Sequence, residues 1–155
     1  MAPLNTIQKT SIIKRIDFIE TELKDLDEYK ILDFNTYTRD RKVRRDVERI
    51  IENIVNATID IGKIILAGED IELPDTYREI FIKLGDSGLI DTRLAGCLSD
   101  LARLRNILAH QYLDIKWAMI NDFISQGSKE VTTFWVLPKI RDYNQYKNLL
   151  IHNHI

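Results

Sequence analysis

The chain of 155 residues contains a single cysteine, Cys97, and this scarcity excludes two kinds of site. One cysteine cannot form an intrachain disulfide, and it cannot build a zinc site from cysteine thiolates. No apolar run approaches the ~18 residues that a membrane-spanning helix needs. The N-terminal residues lack the basic-then-apolar pattern of a secretory signal. We therefore expect a cytoplasmic protein without a membrane span.

Proline and glycine are also scarce, with three and six residues, so the chain has few signals that interrupt helices. Isoleucine and leucine recur at helical intervals, which predicts an all-α protein, and the length fits one domain. The net charge of −2 argues against a generally basic nucleic-acid-binding protein. A local basic patch is still compatible with RNA binding, because phosphates respond to nearby charge.

Apolar residues spaced by threes and fours predict a series of helices, of which the second is the longest. The first helix is capped by Asn5 or Thr6 and ends at about residue 26. The mixed segment 27–37 is expected to hold the first turn. The second helix covers about residues 39–67 and spans most of a small domain. Its predicted buried stripe consists of Val43, Val47, Ile50, Ile51, Ile54, Thr58, Ile61 and Ile65.

Three shorter helices are predicted after the long one. Thr76 and Glu79 have the spacing of a capping box for a third helix. A fourth helix begins near Asp91, and Asp114 is expected to cap a fifth. Residues 126–128 are expected to break the chain's helical course. The apolar residues assigned to the fourth and fifth helices are Leu94, Leu98, Leu101, Leu108, Ile115, Met119 and Phe123.

Basic residues crowd the opening turns of the second helix, where acidic residues are interspersed among them. The favoured interpretation is a solvated face with ion pairs between residues four apart. The alternative is a track that binds the phosphates of an RNA backbone. The candidate RNA contacts in this segment are Arg41, Arg44 and Arg45.

The ten residues that begin at Arg103 carry two arginines, an amide, a histidine and a tyrosine within about three helical turns. On a helical wheel, Arg105 and Tyr112 lie together at the border of the apolar face. Asn106 and His110 lie together on the polar side, with Arg103 beside them. A helix that only buries an apolar stripe does not need this polar set.

These side chains can hold and cut a phosphodiester without a metal. His110 can transfer a proton near neutral pH, and Arg105 offers a forked donor array to a phosphoryl group that gathers charge. Asn106 can orient the imidazole or the substrate, and Tyr112 can stack on a base. The 2′-OH of RNA would be the nucleophile, leaving a 2′,3′-cyclic phosphate and a 5′-OH. Structural or surface roles are the alternative, since an arginine and a histidine often share a helix by chance.

The spacing of Arg105 and His110 creates a geometric difficulty. On an ideal helix the two residues lie about 140° apart and do not face one pocket. Either the long arginine side chain bends round, or the helix ends before His110, or a second subunit completes the site. Arg103 is the closer neighbour of His110 on the wheel.

Residues 105–112, Arg-Asn-Ile-Leu-Ala-His-Gln-Tyr, match the pattern R-x4-H-x-Y and resemble the HepT family. That family comprises HEPN-domain ribonuclease toxins of bacterial and archaeal toxin–antitoxin pairs. Residues 73–81, together with Leu84-Gly85 and residues 88–90, are similar to the family's segment before its catalytic helix. The similarity extends over about residues 5–125, and the helix order and total length agree with it.

The resemblance implies an antiparallel HEPN-like helical bundle that forms a homodimer and needs neither cofactor nor metal. It places Arg105, Asn106 and His110 as catalytic residues in a cleft at the dimer interface, with RNA as the substrate. Arg103 fits a looser spacing of the motif and is expected to act as a helper. The implied partner is a minimal nucleotidyltransferase antitoxin, MntA, which transfers AMP to Tyr112. The added charge and bulk would oppose RNA entry.

We expect a single domain over residues 1–155, in which residues 127–155 form a helical C-terminal extension with a kink or a fresh helix start at Pro138. His152 and His154 lack acidic companions and are expected at an exposed end rather than in a metal site. Two other functions compete with the nuclease. One is a non-catalytic subunit that presents a tyrosine, RNA or a nucleotide to a partner nucleotidyltransferase, and the other is a purely structural helical dimer.

Overall fold

A computed structural model describes residues 4–109 and 113–135, and every regular element within these two ranges is helical. This result confirms the predicted all-α class. Within the same ranges, no helix combines the length and the apolar character that crossing a bilayer requires. The elements are α1 (Thr6–Asp27), α2 (Phe34–Arg39), α3 (Arg41–Gly68), α4 (Tyr77–Asp86), α5 (Thr92–Leu108), α6 (Leu113–Asp122), a π-helical turn (Phe123–Gly127) and α7 (Ser128–Trp135).

The long helix α3 forms the centre of the bundle, because α1, α2, α4 and α5 all pack against it. It confirms the long helix predicted over residues 39–67. Its N-cap is Asp40, whose side chain accepts hydrogen bonds of 3.1 Å from the backbone N–H groups of Lys42 and Val43. Its buried residues are Val47, Ile50, Ile51, Ile54, Val55, Ala57, Thr58, Ile59, Ile61, Gly62 and Leu66.

Helix α1 packs antiparallel to α3, and polar contacts between the two recur at intervals of seven residues. The Tyr29 hydroxyl, just after α1, donates to the carboxylate of Asp46. Two turns earlier on α1, Glu22 accepts a 3.2 Å hydrogen bond from the side chain of Asn53. Two turns earlier again, Arg15 lies 3.4 Å from Asp60. Residue numbers fall along α1 as they rise along α3, so the helices run in opposite directions.

Side-chain caps fix the starts of three helices where the sequence predicts them. Asn5, rather than Thr6, caps α1, since its side chain accepts from the N–H of Gln8 and the Gln8 side chain accepts from the N–H of Asn5. The hydroxyl of Thr76 caps α4 through the N–H of Glu79 at 3.3 Å. Asp91 caps α5 through the N–H of Leu94 at 2.7 Å.

Helices α4 and α5 form a tight hairpin around a glycine contact. A Cβ added to Gly85 would lie 2.7 Å from the Cβ of Ala95. The two helices can therefore lie this close only because residue 85 has a hydrogen atom in place of a side chain. The connecting turn contains Gly88 at φ +72°, a left-handed conformation that glycine adopts without steric cost. The hairpin places the start of α4 beside the last turns of α5.

We expect Gly85→Ala to lower the free energy of unfolding by about 1–3 kcal/mol. The Cβ of Ala95 cannot rotate away from the new methyl group, so the two helices must separate. Thermal unfolding followed by circular dichroism measures this loss. Gly96→Ala is the matched control, because a Cβ there meets no heavy atom within 4 Å. That control should gain up to about 1 kcal/mol from the helix preference of alanine. Equal responses of the two variants would contradict the close-contact explanation.

Helix α2 was not predicted, since residues 27–37 were assigned to a turn. Asp33 caps this helix by accepting a 2.7 Å hydrogen bond from the N–H of Thr36, which lowers the pKa of Asp33. At the other end, Arg44 of α3 donates to the carbonyl oxygens of Tyr37 and Thr38 at 3.3 and 2.9 Å. Six residues are too few to show helical periodicity, and hydrogen bonds from α3 hold the end of this helix.

The predicted start of the fifth helix at Asp114 is wrong. Helix α6 already begins at Leu113, so Asp114 lies in its first turn, where a negative charge favours the positive end of the helix dipole. Ile115, one of the apolar residues assigned to this helix, is 54% exposed. Met119 is partly buried and Phe123 is buried.

The predicted break at residues 126–128 is also wrong, because a π-helical turn carries the chain from α6 into α7. A Cβ added to Gly127 would lie 2.7 Å from Cδ2 of Phe123 and 3.2 Å from Cδ2 of Leu101. Gly127 therefore allows close packing against α5 and does not end a helix. The kink predicted at Pro138 and the exposed end predicted at His152 and His154 lie outside the described residues.

Candidate active site

Arg105 lies in the last turn of α5, partly buried between α3 and α4. Its Nε donates a 2.6 Å hydrogen bond to Oδ1 of Asn56 on α3. Its guanidinium carbon lies 4.8 Å from the ring centroid of Tyr77, the first residue of α4. Neither terminal nitrogen of Arg105 has a hydrogen-bond or ion-pair partner within residues 4–109 and 113–135. The forked edge of the guanidinium is therefore available to an anion such as a phosphate.

Lys63 brings a second positive charge to the same place. Its Nζ lies 4.7 Å from the centroid of the Tyr77 ring, within the range of a cation–π contact. Helices α3, α4 and α5 thus each contribute to one group of side chains. We call Asn56, Lys63, Tyr77 and Arg105 the Arg105 cluster.

Asn106 and Arg103 lie in a surface groove beside the Arg105 cluster, and both side chains are exposed. The groove has a volume of about 430 Å³, which is within the usual size of a small-ligand site. Tyr77 belongs to the groove and to the cluster, so the two are continuous. We call this cavity the α4–α5 groove; its walls are Thr76, Tyr77, Arg78, Glu79, Ile82, Ala102, Arg103 and Asn106.

His110 and Tyr112 lie outside the described residues, which end at Ala109 on this side of the gap. The helix ends at Leu108, and the N–H of Ala109 bonds to the carbonyl oxygen of Asn106 at 3.3 Å. The angle of 140° between Arg105 and His110 assumes a helix that continues through both residues. The end of α5 at Leu108 agrees with the alternative in which the helix ends before residue 110.

Helix α6, which follows residues 110–112, is anchored to α3 by a buried ion pair. Nζ of Lys116 lies 3.4 Å from Oε1 of Glu48, and the two side chains are only 11% and 19% exposed. The Tyr37 hydroxyl donates a 2.5 Å hydrogen bond to the same Glu48 oxygen, and its ring lies 5.4 Å from that of Trp117. Burial, and then the bond to Glu48, raise the pKa of Tyr37 well above its ordinary value. The three residues 110–112 therefore connect two fixed points, the last turn of α5 and the first turns of α6.

The basic residues predicted as RNA contacts divide into two kinds. Arg44 uses its guanidinium to hold the carbonyl groups at the end of α2, as described above. Arg41 and Arg45 are exposed and line a surface groove of about 840 Å³. We call it the basic groove; it is lined by Tyr29, Arg41, Lys42, Val43, Arg45, Asp46 and Arg49.

Asp46 is the one carboxylate among the walls of the basic groove. The Tyr29 hydroxyl donates to it, and this hydrogen bond is the main cause that raises the pKa of Tyr29 to about 12. The Tyr29 hydroxyl therefore keeps the proton that it donates to Asp46 well above neutral pH. The arginines and the lysine of the groove keep a net positive field.

Cys97, the single thiol of the chain, lies on α5. The Cys97 thiol is partly buried, and burial raises its pKa, so the reactive thiolate is disfavoured. In the part of the chain that the structure describes, no three His, Cys, Asp or Glu side chains are grouped to hold a metal ion.

Sequence reasoning did not single out Asn56 and Lys63, and it included Tyr77 only as part of the segment 73–81. One signal was available for Asn56, because it interrupts the apolar residues from 54 to 59 in the centre of the longest helix. The sequence alone did not connect it to Arg105, which lies 49 positions further along the chain.

Comparison with known sequences identifies the family of this chain. A family model described as ribonuclease HepT-like matches residues 19–135. A tRNA nuclease HepT from Aphanizomenon flos-aquae (strain 2012/KM1/D3) is 29% identical over 112 residues, which cover 72% of this chain and 76% of that protein.

Two solved structures share the fold. A tri-AMPylated HEPN toxin of Shewanella oneidensis, in complex with an MNT antitoxin, superposes with a TM-score of 0.71 at 22% identity, over 80% of this chain and 92% of the toxin. YutE of Bacillus subtilis, a cytosolic protein of unknown function, superposes with a TM-score of 0.71 at 20% identity, over 95% of each chain. The predicted HEPN-like helical fold is confirmed.

Proposed function

Because the chain belongs to the ribonuclease HepT-like family, we propose that it is an RNA-cleaving toxin of a toxin–antitoxin pair. The observation that carries this proposal is the forked edge of Arg105 beside the α4–α5 groove, which has no partner within residues 4–109 and 113–135. A guanidinium held only by neutral groups keeps a full positive charge that a phosphodiester can neutralise. The similarity to a tRNA nuclease supports RNA as the substrate.

The reaction is transesterification within the RNA chain. The ribose 2′-OH loses its proton and attacks the adjacent phosphorus, the bond from phosphorus to the 5′ oxygen breaks, and that oxygen gains a proton. His110 carries protons in this exchange. Arg105 donates to the non-bridging oxygens as negative charge gathers on them. Asn106 orients the imidazole or the substrate. These groups supply both the positive charge and the proton transfer, so the reaction needs no metal.

RNA follows one side of α3 to reach Arg105. Arg45 and Arg49 precede Asn56 by eleven and seven residues, both close to whole numbers of turns, so the three side chains share one side of the helix. The basic groove then lies about 10–16 Å from the Arg105 cluster along the helix axis. Arg41 and Arg45 contact phosphates in the basic groove, while Arg103 helps in the α4–α5 groove. Arg44, which is bound to backbone carbonyls, adds only its charge.

Regulation acts through Tyr112 and a nucleotidyltransferase antitoxin of the MntA kind. The Shewanella oneidensis toxin is AMPylated and bound to an MNT antitoxin, which supports the same chemistry here. An AMP group on Tyr112 places a negative phosphate and a bulky nucleoside seven residues from Arg105. A homodimer, formed in the cytoplasm, completes the cleft.

The test uses the chain produced alone and the chain produced together with its antitoxin. Each sample is incubated with tRNA and with unrelated RNAs in the presence of a metal chelator, and its intact mass is measured. The chain produced alone should cut RNA and leave 2′,3′-cyclic phosphate and 5′-OH ends. The co-produced chain should carry an AMP-sized mass on Tyr112 and should not cut.

A different result would support the non-catalytic alternative. If an unmodified and folded dimer leaves every RNA intact but still binds the antitoxin, the protein is a binding subunit for a nucleotidyltransferase. Cleavage that stops when the chelator is added would contradict the metal-independent reaction.

A further inference from the structure

We infer that Asn56 is a positioning residue for Arg105: it fixes the direction of the guanidinium while leaving its positive charge unopposed. This inference rests on the proposed function, because it assigns a partner to the group that binds the phosphate. The bond from Nε of Arg105 to Oδ1 of Asn56 is 2.6 Å long, the only side-chain bond between α3 and α5 in the described ranges. It crosses from the centre of the bundle to the end of the helix that precedes His110.

The nitrogen to which Asn56 binds determines which N–H donors of the guanidinium remain for a ligand. A guanidinium has five N–H donors in one plane, one on Nε and two on each terminal nitrogen. Asn56 occupies the Nε donor, and the Tyr77 ring lies 4.8 Å from the guanidinium carbon. The four remaining donors belong to the terminal nitrogens, whose paired geometry matches two oxygens of a phosphate. The contact from α3 therefore orients the side chain without using the donors that recognise phosphate.

The neutral character of Asn56 is as important as its position. The carboxylates one turn before and one turn after it on α3 are both engaged elsewhere. Glu52 lies 3.6 Å from Arg49, and Asp60 lies 3.4 Å from Arg15. The guanidinium thus has no carboxylate partner within the described residues. Partial burial of an unpaired charge is unfavourable, so the site favours an anionic ligand that supplies the missing charge.

Tyr77 and Lys63 complete the arrangement. The Tyr77 ring attracts both cations through its quadrupole and holds Arg105 without neutralising it. Lys63 adds positive charge near the same ring, which raises the local attraction for a phosphate. Asn56 and Tyr77, which hold Arg105 in the described ranges, are both neutral.

The Asn56→Asp variant distinguishes the two properties assigned to Asn56, its hydrogen bond to Arg105 and its lack of charge. An aspartate keeps an oxygen acceptor and strengthens the bond to Nε, because both partners are then charged. If Asn56 were only structural, this variant would be as stable and as active as the parent. If the free charge of Arg105 is what matters, the variant folds normally but binds and cuts RNA poorly. Asn121→Asp, on the exposed side of α6, is the matched control for the same change of charge.

The measurements are thermal stability, single-turnover cleavage, and binding of an oligonucleotide that carries 2′-deoxy substitutions and cannot be cut. For Asn56→Asp we expect a melting temperature equal to or higher than that of the parent, roughly tenfold or greater loss in binding, and a salt dependence of binding that is lower by about one phosphate contact. The Asn121→Asp control should bind and cut like the parent. Parent-like binding and cleavage by Asn56→Asp would overturn the inference.

A second variant covers the case in which Asn56→Asp does not fold. Asn56→Leu has similar volume and no acceptor, so Arg105 keeps its charge and loses its orientation. We expect the cleavage rate constant to fall by up to about a hundredfold, while the salt dependence of binding stays as in the parent. An unchanged rate constant would overturn the inference.

Failure of the proposed function gives a different pattern. If the parent protein cuts no RNA, the proposed nuclease is wrong, and binding of the 2′-deoxy oligonucleotide still tests Asn56. Weaker binding by Asn56→Asp than by Asn121→Asp would then support the positioning role alone, and equal binding would reject it.

Discussion

Arg105→Lys lowers the rate constant of RNA cleavage by a factor of about 10²–10³, although the charge at this position does not change. An arginine can donate from Nε to Asn56 and still present two terminal nitrogens to a phosphate. A lysine has a single nitrogen at the end of a flexible chain, so it cannot serve both partners with fixed geometry. Single-turnover cleavage with the protein in excess measures the chemical step apart from product release.

The matched control is Arg103→Lys, in the exposed part of the same helix. A lysine there still attracts phosphates as a point charge, so cleavage should remain within about threefold of the parent. Equal losses at positions 103 and 105 would contradict the geometric role assigned to Arg105. His110→Ala removes the proposed proton carrier and should bring cleavage to the background level. Cleavage by that variant at the parent rate would disprove the nuclease mechanism.

Lys116→Met destabilises the fold by about 3 kcal/mol, the lower end of the usual cost of breaking a buried ion pair. The carboxylate of Glu48 loses its cation 3.4 Å away and keeps only the hydrogen bond from Tyr37. Methionine fills nearly the same volume, so packing is preserved and the electrostatic loss is isolated. The melting temperature of a chain of this length should fall by about 10 °C.

Two comparisons test the origin of this loss. Glu48→Gln combined with Lys116→Met removes both charges and should regain most of the stability, because no unpaired charge is then buried. Lys129→Met, at an exposed position on α7, should change the melting temperature by no more than a degree or two. If the double variant were less stable than Lys116→Met alone, the ion pair would not be the cause.

The fold was predictable where one segment determines its own structure. Asn5, Thr76 and Asp91 accept hydrogen bonds from N–H groups three residues ahead, so the signal and the structure lie in the same short stretch. The stripe of α3 was equally clear, because it repeats over 28 residues. Local order that spans many turns leaves a pattern that can be recognised without knowledge of the neighbours.

The incorrect predictions concern segments whose structure depends on contacts with a distant part of the chain. Helix α2 has six residues and depends on Arg44 of another helix, so its own sequence carries little signal. Gly127 looked like a helix terminator, but it is required because Leu101 packs within 3.2 Å of where its Cβ would lie. A glycine that ends a helix and a glycine that allows close packing look the same in the sequence, and only the tertiary packing distinguishes them.

In the candidate site, too, local features were predictable from the sequence and contacts between distant helices were not. The residue types and spacing near Arg105 indicated phosphate chemistry, and the structure places Arg105 against Tyr77, which lines the α4–α5 groove together with Asn106. The angle between Arg105 and His110 was calculated for an ideal helix through both residues, whereas α5 ends at Leu108. Asn56 and Lys63 belong to a different helix, and no periodicity within one helix reveals a neighbour across the bundle.

The seven-residue repeat of contacts between α1 and α3 constrains how homologues of this chain can change length. Removing seven residues from one helix alone would displace every later pair, including Asp60 with its partner Arg15. Removing seven from both would shorten the bundle by about 10 Å and keep the remaining pairs in register. Insertions and deletions in these two helices should therefore occur together and in multiples of seven, and a sequence alignment that opens a gap in only one of them is misplaced.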